Sequence, residues 1–413
     1  MSRSSDNHRE IVIVGGGAGG IAAAASLLKR RPTLDIAVVE PRETHFYQPG
    51  WTLVGAGIFE PGQTAREEAE VMPHGVSWLK TSVAGFAPED NAVRLADGSL
   101  LHYGLLVVAT GIRLAWELVE GLPETLGKNG VTSNYSYDTA PYTWELVQRL
   151  KHGRALFTQP PMPIKCAGAP QKAMYLSCSA WEQRGLLDAI DVQFHTAGPS
   201  IFGVPAYVPA LMETVQRYGI DLHLGSNLVA VDGAARHATF KTADGEITTE
   251  FDMLHVTPPQ RSLPVVADSA LADEAGYVEV DPATLQHKRF PNVFAIGDAG
   301  GMPNAKTAAA VRKQAPVVAA NLLAVLDGAE PDAVYEGYGS CPLTIEAGRI
   351  LLAEFGYGGA LQPTFPTWLI DGTRPSRLAW ILKKDLMPAV YWDLMLKGHE
   401  WLASPRLRSA GPA

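Results

Sequence analysis

The chain predicts an α/β fold of two tandem Rossmann-like domains, the first discontinuous, followed by an amphipathic helical tail. Three observations carry that reading. Residues 10–20, Glu-Ile-Val-Ile-Val-Gly-Gly-Gly-Ala-Gly-Gly, run from a buried-strand pattern into a glycine turn, and an alanine-rich helix follows. Two later segments, Leu105-Leu-Val-Val-Ala-Thr-Gly111 and Asn292-Val-Phe-Ala-Ile-Gly-Asp298, repeat the pattern of a strand ending in a small-residue turn. The stretch from Pro366 onward holds four of the nine tryptophans, and from Arg377 it carries six Lys or Arg against three Asp or Glu in an otherwise acidic chain.

With 413 residues the chain is long enough for two to three domains, and 46% hydrophobic against 19% charged residues describes a folded protein. The net charge of −9 argues against nucleic acid, whose backbone requires clustered Lys and Arg. Cys166, Cys178 and Cys341 form no C-x-x-C pair, so no metal site is expected. The polar segment Met1 to Glu10 predicts no signal peptide. No run of about 18 apolar residues predicts a spanning helix, which leaves attachment at a membrane surface open.

Gly15, Gly17 and Gly20 occupy the three positions of G-x-G-x-x-G, and Asp35 to Glu40 reads as a second strand ending in an acid. The first glycine makes the tight turn, the second lets the backbone approach a pyrophosphate, and the third packs helix on strand. A carboxylate at Glu40 accepts from ribose hydroxyls and repels a 2′-phosphate, so NADP is disfavoured. The Ala-Thr-Gly turn at Thr110 and Gly111 and the Gly-Asp turn at Gly297 and Asp298, in this order, are similar to the marks of two-dinucleotide-binding-domain flavoproteins. That similarity implies FAD, with Asp298 on the ribityl chain. Alone, Asp298 reads equally as a turn acid or helix cap.

A second unit of this kind would carry a second glycine fingerprint for a nicotinamide. Between the strand Arg154-Ala-Leu-Phe-Thr158 and a helix starting near Pro170 stands instead Gln-Pro-Pro-Met-Pro-Ile-Lys-Cys-Ala-Gly-Ala-Pro, stiffened by prolines. The flavin is therefore expected to take electrons from something else, and Cys166 stands at this junction. Cys341 precedes Pro342, which biases it to an extended conformation. Read from its neighbours alone, each cysteine fits a buried small apolar residue better than a reactive thiol.

Longer blocks add a resemblance. Ile164-Lys-Cys-Ala-Gly-Ala-Pro-Gln-Lys172, Met253-Leu-His-Val-Thr-Pro-Pro259, Lys306-Thr-Ala-Ala-Ala-Val311, Tyr338-Gly-Ser-Cys-Pro-Leu343 and Asp385-Leu-Met-Pro388 look like the mitochondrial-type sulfide:quinone oxidoreductases and their bacterial relatives. The similarity runs over about residues 9 to 400. It implies an FAD-binding domain at 9–120 and 285–330, a second Rossmann-like domain without nicotinamide fingerprint at 121–284, and a C-terminal interface and membrane-anchoring region at 331–413. Gly15, Gly17, Gly20, Glu40 and Asp298 fall on FAD contacts, and Cys166 with Cys341 on the redox disulfide. Lys306 matches a lysine expected beside flavin or quinone. Cys178 matches no redox cysteine and is expected to be a packed core thiol. Some bacterial members tether the flavin through a cysteine upstream of the Cys166 region; residues 1–165 contain none, so the FAD is expected to be noncovalent.

The implied reaction takes hydrogen sulfide as electron donor, a quinone as acceptor, and a thiol, sulfite or sulfide to remove the sulfane sulfur. Hydrosulfide is expected to attack Cys341, leaving Cys166 as the flavin-facing thiolate with Lys165 as a nearby cation. A lipid-dissolved quinone predicts a peripheral membrane protein, placed on the cytoplasmic face of a bacterial inner membrane. Trp380, Trp392 and Trp401 cannot share one face of a straight helix. Pro388 is therefore expected to break the tail into two short helices, with Lys383, Lys384 and Lys397 near the membrane rim. Because flavin and cysteine contacts all precede Arg374, loss of the tail is expected to spare them.

Overall fold

The computed structural model describes residues 7–408; the N-terminal hexapeptide of the leader reading and the last five tail residues lie outside them. Strand β1 (His8–Val14) buries Ile11 to Val14 completely or nearly so. It is flanked in parallel by β2 (Ile36–Val39) and β3 (Leu100–Val108), and its turn leads into helix α1 (Ala18–Arg30). A continuous apolar run is what a parallel strand covered on both faces requires. The sheet has seven strands. Val76–Leu79 lies outside β2, Ala92–Leu95 and Val83–Ala87 lie beyond β3, and Val293–Ala295 returns from the far part of the chain to pair with Leu106–Val108.

The second sheet is parallel and has five strands, in the order Val131–Thr132, Met253–His255, β4 (Gly153–Gln159), Ile190–Thr196 and Asp221–Leu224. Helix α2 (Ala169–Gln183) follows β4 after the proline-rich junction and is buried over most of its length. Helix α3 (Ala308–Leu326) begins at Thr307, whose hydroxyl accepts the Ala310 N–H at 3.2 Å. Among the described residues α3 is the one helix long and apolar enough to cross a membrane. It packs on α1 inside the protein, and its buried Asn321 amide donates to the Thr284 and Ala333 carbonyls at 2.9 and 2.8 Å. A hairpin of β5 (Gly339–Glu346) and β6 (Arg349–Phe355) then packs against α2.

The tail differs from expectation. Residues 377–397 are one helical run through Pro388, not two helices. Proline lacks an N–H and its ring collides with the carbonyl four residues back in a regular helix. Here π-helical turns at Leu382–Leu386 and Val390–Leu394 flank it, and the N–H of Met387 reaches back to the Leu382 carbonyl. The wider turn absorbs the proline without breaking the run.

The tail's aromatic residues also divide. Trp368 is 84% exposed, but Trp392 is 4% exposed, packed against His45 and Tyr47 with the Arg66 guanidinium 4.4 Å above its ring. Lys383, expected at a rim, is buried. Farther on, Glu400 binds Ser26 and Arg30 of α1, and at Gly398 a Cβ would meet the Ala25 carbonyl at 2.6 Å. A half-exposed ion pair of this kind contributes on the order of 1 kcal/mol or less, whereas truncating a buried tryptophan costs about 3–5 kcal/mol. Apolar packing therefore holds the tail on the first domain. Trp392→Ala is expected to lower the thermal melting temperature of the whole protein markedly, while Trp368→Ala leaves it nearly unchanged; scanning calorimetry of both variants checks this.

Candidate active site

A continuous cavity of about 480 Å³ runs along the carboxyl ends of the first sheet to the β5–β6 hairpin and the tail. Gly15, Gly17, Glu40, Thr110, Gly111, Gly297, Asp298, Lys306 and Cys166 line it; Gly20 and Cys341 lie just behind its wall. At Gly15, φ is +106° and a Cβ would strike the Ala109 carbonyl. At Gly20 a Cβ would overlap the Gly15 carbonyl oxygen, so helix and turn meet there only without a side chain. At Gly17 a Cβ would meet nothing within 4 Å, because that position faces open cavity. This is the cradle that a dinucleotide requires: two closed glycine contacts and one open face at a helix N-terminus. The Thr110 hydroxyl and one Glu68 oxygen are buried on the cavity wall without partners, as polar groups awaiting a ligand would be.

Glu40 accepts the Gly16 N–H on Oε2 and the Arg42 N–H on Oε1, both at 2.8 Å. Asp298 faces the cavity, and burial raises its pKa while Lys306 and Lys165 pull it back. The Lys306 ammonium is tied down, donating to the Asp298 and Gly300 carbonyls at 2.8 and 3.0 Å over the Tyr277 ring. Burial lowers its pKa. Its lining position fits the sequence reading, but its charge braces the Gly297 turn.

The structure brings Cys166 and Cys341 together from 175 residues apart, with their sulfurs 3.6 Å from each other as a hydrogen-bonded dithiol. Cys166 has φ +52°, a left-handed conformation that costs a non-glycine residue energy and persists only when its surroundings fix it. Its N–H donates to the Lys306 carbonyl at 2.8 Å, its own carbonyl accepts from Ala169 N–H at 2.8 Å, and the Tyr135 hydroxyl donates to the Lys165 and Cys166 carbonyls. Cys341 sits within β5 opposite Ala353, extended as Pro342 predicts. Gly168, the cap of α2, makes the approach possible: a Cβ there would stand 2.5 Å from the Cys341 sulfur.

The cation at the sulfur is not Lys165. That side chain points away, donating to Gln48 at 2.7 Å. Burial lowers its pKa to about 8. Lys172, which sequence reasoning passed over, donates to the Cys166 sulfur at 3.1 Å from the first turn of α2. Side chains tilt toward the N-terminus of their helix, so a lysine in the first turn reaches back to a residue just before it; that was the available signal. The hydrogen bond from Cys341, then Lys172 and Lys383, hold the Cys166 thiol well below its ordinary value against burial. Cys341, donor in that pair and buried, is held well above. For Lys172, burial alone would lower the pKa, but the two sulfurs more than offset it. Lys383 comes from the tail, donates to the Pro49 carbonyl at 3.0 Å, and is pushed down to about 7 by burial and then by Lys172. Cys178 is fully buried, its thiol pushed up chiefly by burial, and touches none of this.

Such a fold with a glycine-cradled cavity and a cysteine pair defines a class of flavoprotein oxidoreductases, and the family profile described as pyridine nucleotide-disulphide oxidoreductase matches residues 9–151. The chain belongs to the sulfide:quinone oxidoreductase family. It is 43% identical over 366 residues to the mitochondrial sulfide:quinone oxidoreductase of Dictyostelium discoideum, covering 88% of this chain and 80% of that protein. It is 41% identical over 399 residues to the mitochondrial enzyme of Mus musculus, covering 96% and 88%. In fold it is similar to the sulfide:quinone oxidoreductase of Aquifex aeolicus, with a TM-score of 0.79 at 19% identity over 95% of this chain and 92% of that one. The mitochondrial seat of the first two is at odds with the expected cytoplasmic face of a bacterial membrane.

Replacing Lys172 by Met is expected to move the Cys166 titration to higher pH, since it removes a cation that favours the thiolate. Lys383→Met should remove an inflection near pH 7, above which the wild-type lysine loses its charge. The rate of Cys166 alkylation against pH in the reduced protein measures both.

Proposed function

We propose that this chain oxidises hydrogen sulfide to sulfane sulfur and reduces a quinone, with noncovalent FAD in the cavity. The observation that carries the reading is the cysteine pair, assembled at the cavity wall beneath a buried ammonium. Gly15, Gly17 and Gly20 would cradle the pyrophosphate, Glu40 the ribose end, and Thr110, Gly111, Gly297 and Asp298 the flavin half. When bound, FAD supplies the two-electron acceptor between the cysteines and the quinone.

The chain's own residues divide the sulfur chemistry. Starting from the oxidised pair, hydrosulfide attacks Cys341, breaking the disulfide, forming a persulfide on Cys341 and leaving the electron pair on Cys166 as thiolate. Lys172 already donates to that sulfur, and Cys166 is the member of the pair on the cavity wall. A thiol, sulfite or second sulfide then takes the sulfane sulfur from Cys341, and loss of two electrons restores the disulfide. Cys166→Ser and Cys341→Ser are each expected to abolish sulfide-driven bleaching of bound flavin while FAD stays bound, with Cys178→Ser keeping most turnover. Sulfide-dependent quinone reduction with the three variants tests the reading; full activity of Cys341→Ser would sink it.

Membrane contact belongs to the same reading, carried by apolar side chains at the start of the tail and not by the buried Trp392 and Lys383. Trp368, Leu369, Leu378, Ile381 and Leu386 are large apolar side chains left exposed around the start of the tail helix, an arrangement suited to the interface of a bilayer. The tail itself lines the cavity through Lys383, Tyr391, Trp401 and Leu402, so deletion after Arg374 would open the cofactor site instead of sparing it. Leu378→Glu with Ile381→Glu is the sharper test. This double variant should leave the membrane fraction and lose turnover with long-tailed quinone, while sulfide still bleaches its flavin; normal turnover in membranes would remove these residues from the anchor.

A further inference from the structure

A buried polar chain borders the cavity at the glycine turn. Glu68 is 2% exposed and lines the cavity. Its Oε2 is 3.2 Å from His45 Nδ1, and His45 Nε2 is 2.7 Å from the Tyr391 hydroxyl of the tail helix. With the proton on Nδ1, the ring donates to Glu68 and accepts from Tyr391, so every polar atom of this chain is satisfied except one. That one is Glu68 Oε1, buried and without a partner. It borders Gly16 in the glycine turn, where a Cβ would stand 2.8 Å from it. Glu40 borders the same corner, but both its oxygens already accept backbone N–H groups from Gly16 and Arg42. A ligand arriving there with hydroxyl donors meets Glu68 Oε1 as the carboxylate oxygen with no prior engagement. Leaving a buried carboxylate oxygen unpaired is costly, and a donor from the ligand removes that cost.

We propose that Glu68 is a second ribose-binding carboxylate of this site, accepting from a hydroxyl of the adenosine ribose, and that the tail helix positions it through Tyr391 and His45. The inference rests on the reading of the cavity as an FAD site and adds to it a ligand contact and a dependence on the tail. Burial, and only secondarily the neighbouring Glu40, raises the pKa of Glu68, while His45 holds it down. The hydroxyl of Tyr391 then has a task beyond packing: it fixes the ring that fixes the acid. Binding and seating are reciprocal, so a ligand that engages Glu68 must also steady the tail.

The full-length protein, stripped of FAD, is titrated with FAD and then with ADP, 2′-deoxy-ADP and 3′-deoxy-ADP as competitors. Wild type is expected to bind ADP about tenfold more tightly than at least one of the deoxy analogues, the scale of one lost hydrogen bond to a charged acceptor. Glu68→Met, which keeps the volume and removes the acceptor, should bring ADP and that analogue to equal affinity. Tyr391→Phe, which keeps the ring and removes the hydroxyl, should shrink the discrimination severalfold and increase proteolysis within 377–397 in the ADP-bound state. A merely structural role for Glu68 would weaken all three competitors alike, and retained discrimination in Glu68→Met overturns the proposal. If wild type binds neither FAD nor ADP, the cofactor reading itself fails, an outcome separate from FAD binding without discrimination.

Discussion

A single backbone hydrogen bond, from the Cys166 N–H to the Lys306 carbonyl, ties the two halves of this molecule at the point where they must cooperate. Cys166 belongs to the junction after β4 of the second sheet, while Lys306 leads into α3 on the first, and a bridge between Lys165 and Lys306 runs the strands in parallel there. The left-handed backbone of Cys166 is sustained by that bond together with Tyr135 and Ala169. The Lys306 ammonium in turn braces the Gly297–Gly300 turn beside Asp298. Sulfur and cofactor turn are thus held by the two ends of one residue.

The second sheet keeps the frame of a nucleotide-binding unit but puts its helix N-terminus to another use. The first turn of α2, which in such a frame faces phosphate, here presents Gly168 and Lys172 to two sulfurs. The demand is similar, since a thiolate also needs positive charge and N–H groups. The hydrogen bond between the two sulfurs, with a buried lysine 3.1 Å from Cys166, makes the two cysteines unequal.

What could be read from the chain follows the range of the physics. Gly15, Gly17, Gly20 and Glu40 act within one strand, turn and helix, so local spacing reveals them. The two Rossmann-like sheets follow from continuous apolar runs that only covered parallel strands tolerate. The cysteine pairing came through resemblance, because no local rule joins residues 166 and 341. Lys172 is within reach of helix geometry, since a first-turn side chain tilts back toward the residues before its helix. The tail misled because Trp392 and Lys383 look amphipathic in sequence, while their burial depends on His45, Tyr47 and Pro49, more than three hundred residues earlier. Tertiary packing of that range overrides any local pattern, and the π-helical turns around Pro388 are one of its products.

The strand Val293–Ala295 pairs with Leu106–Val108, and the tail closes over the same sheet still later. During synthesis, therefore, the first third of the chain leaves the ribosome with its central sheet unfinished and one strand edge unpaired. The intervening second sheet can form meanwhile as a local unit. Only when nearly the last described residues emerge can the nascent chain close its opening module, so the cavity at the glycine turn is completed late, although that turn is among the earliest segments to be translated.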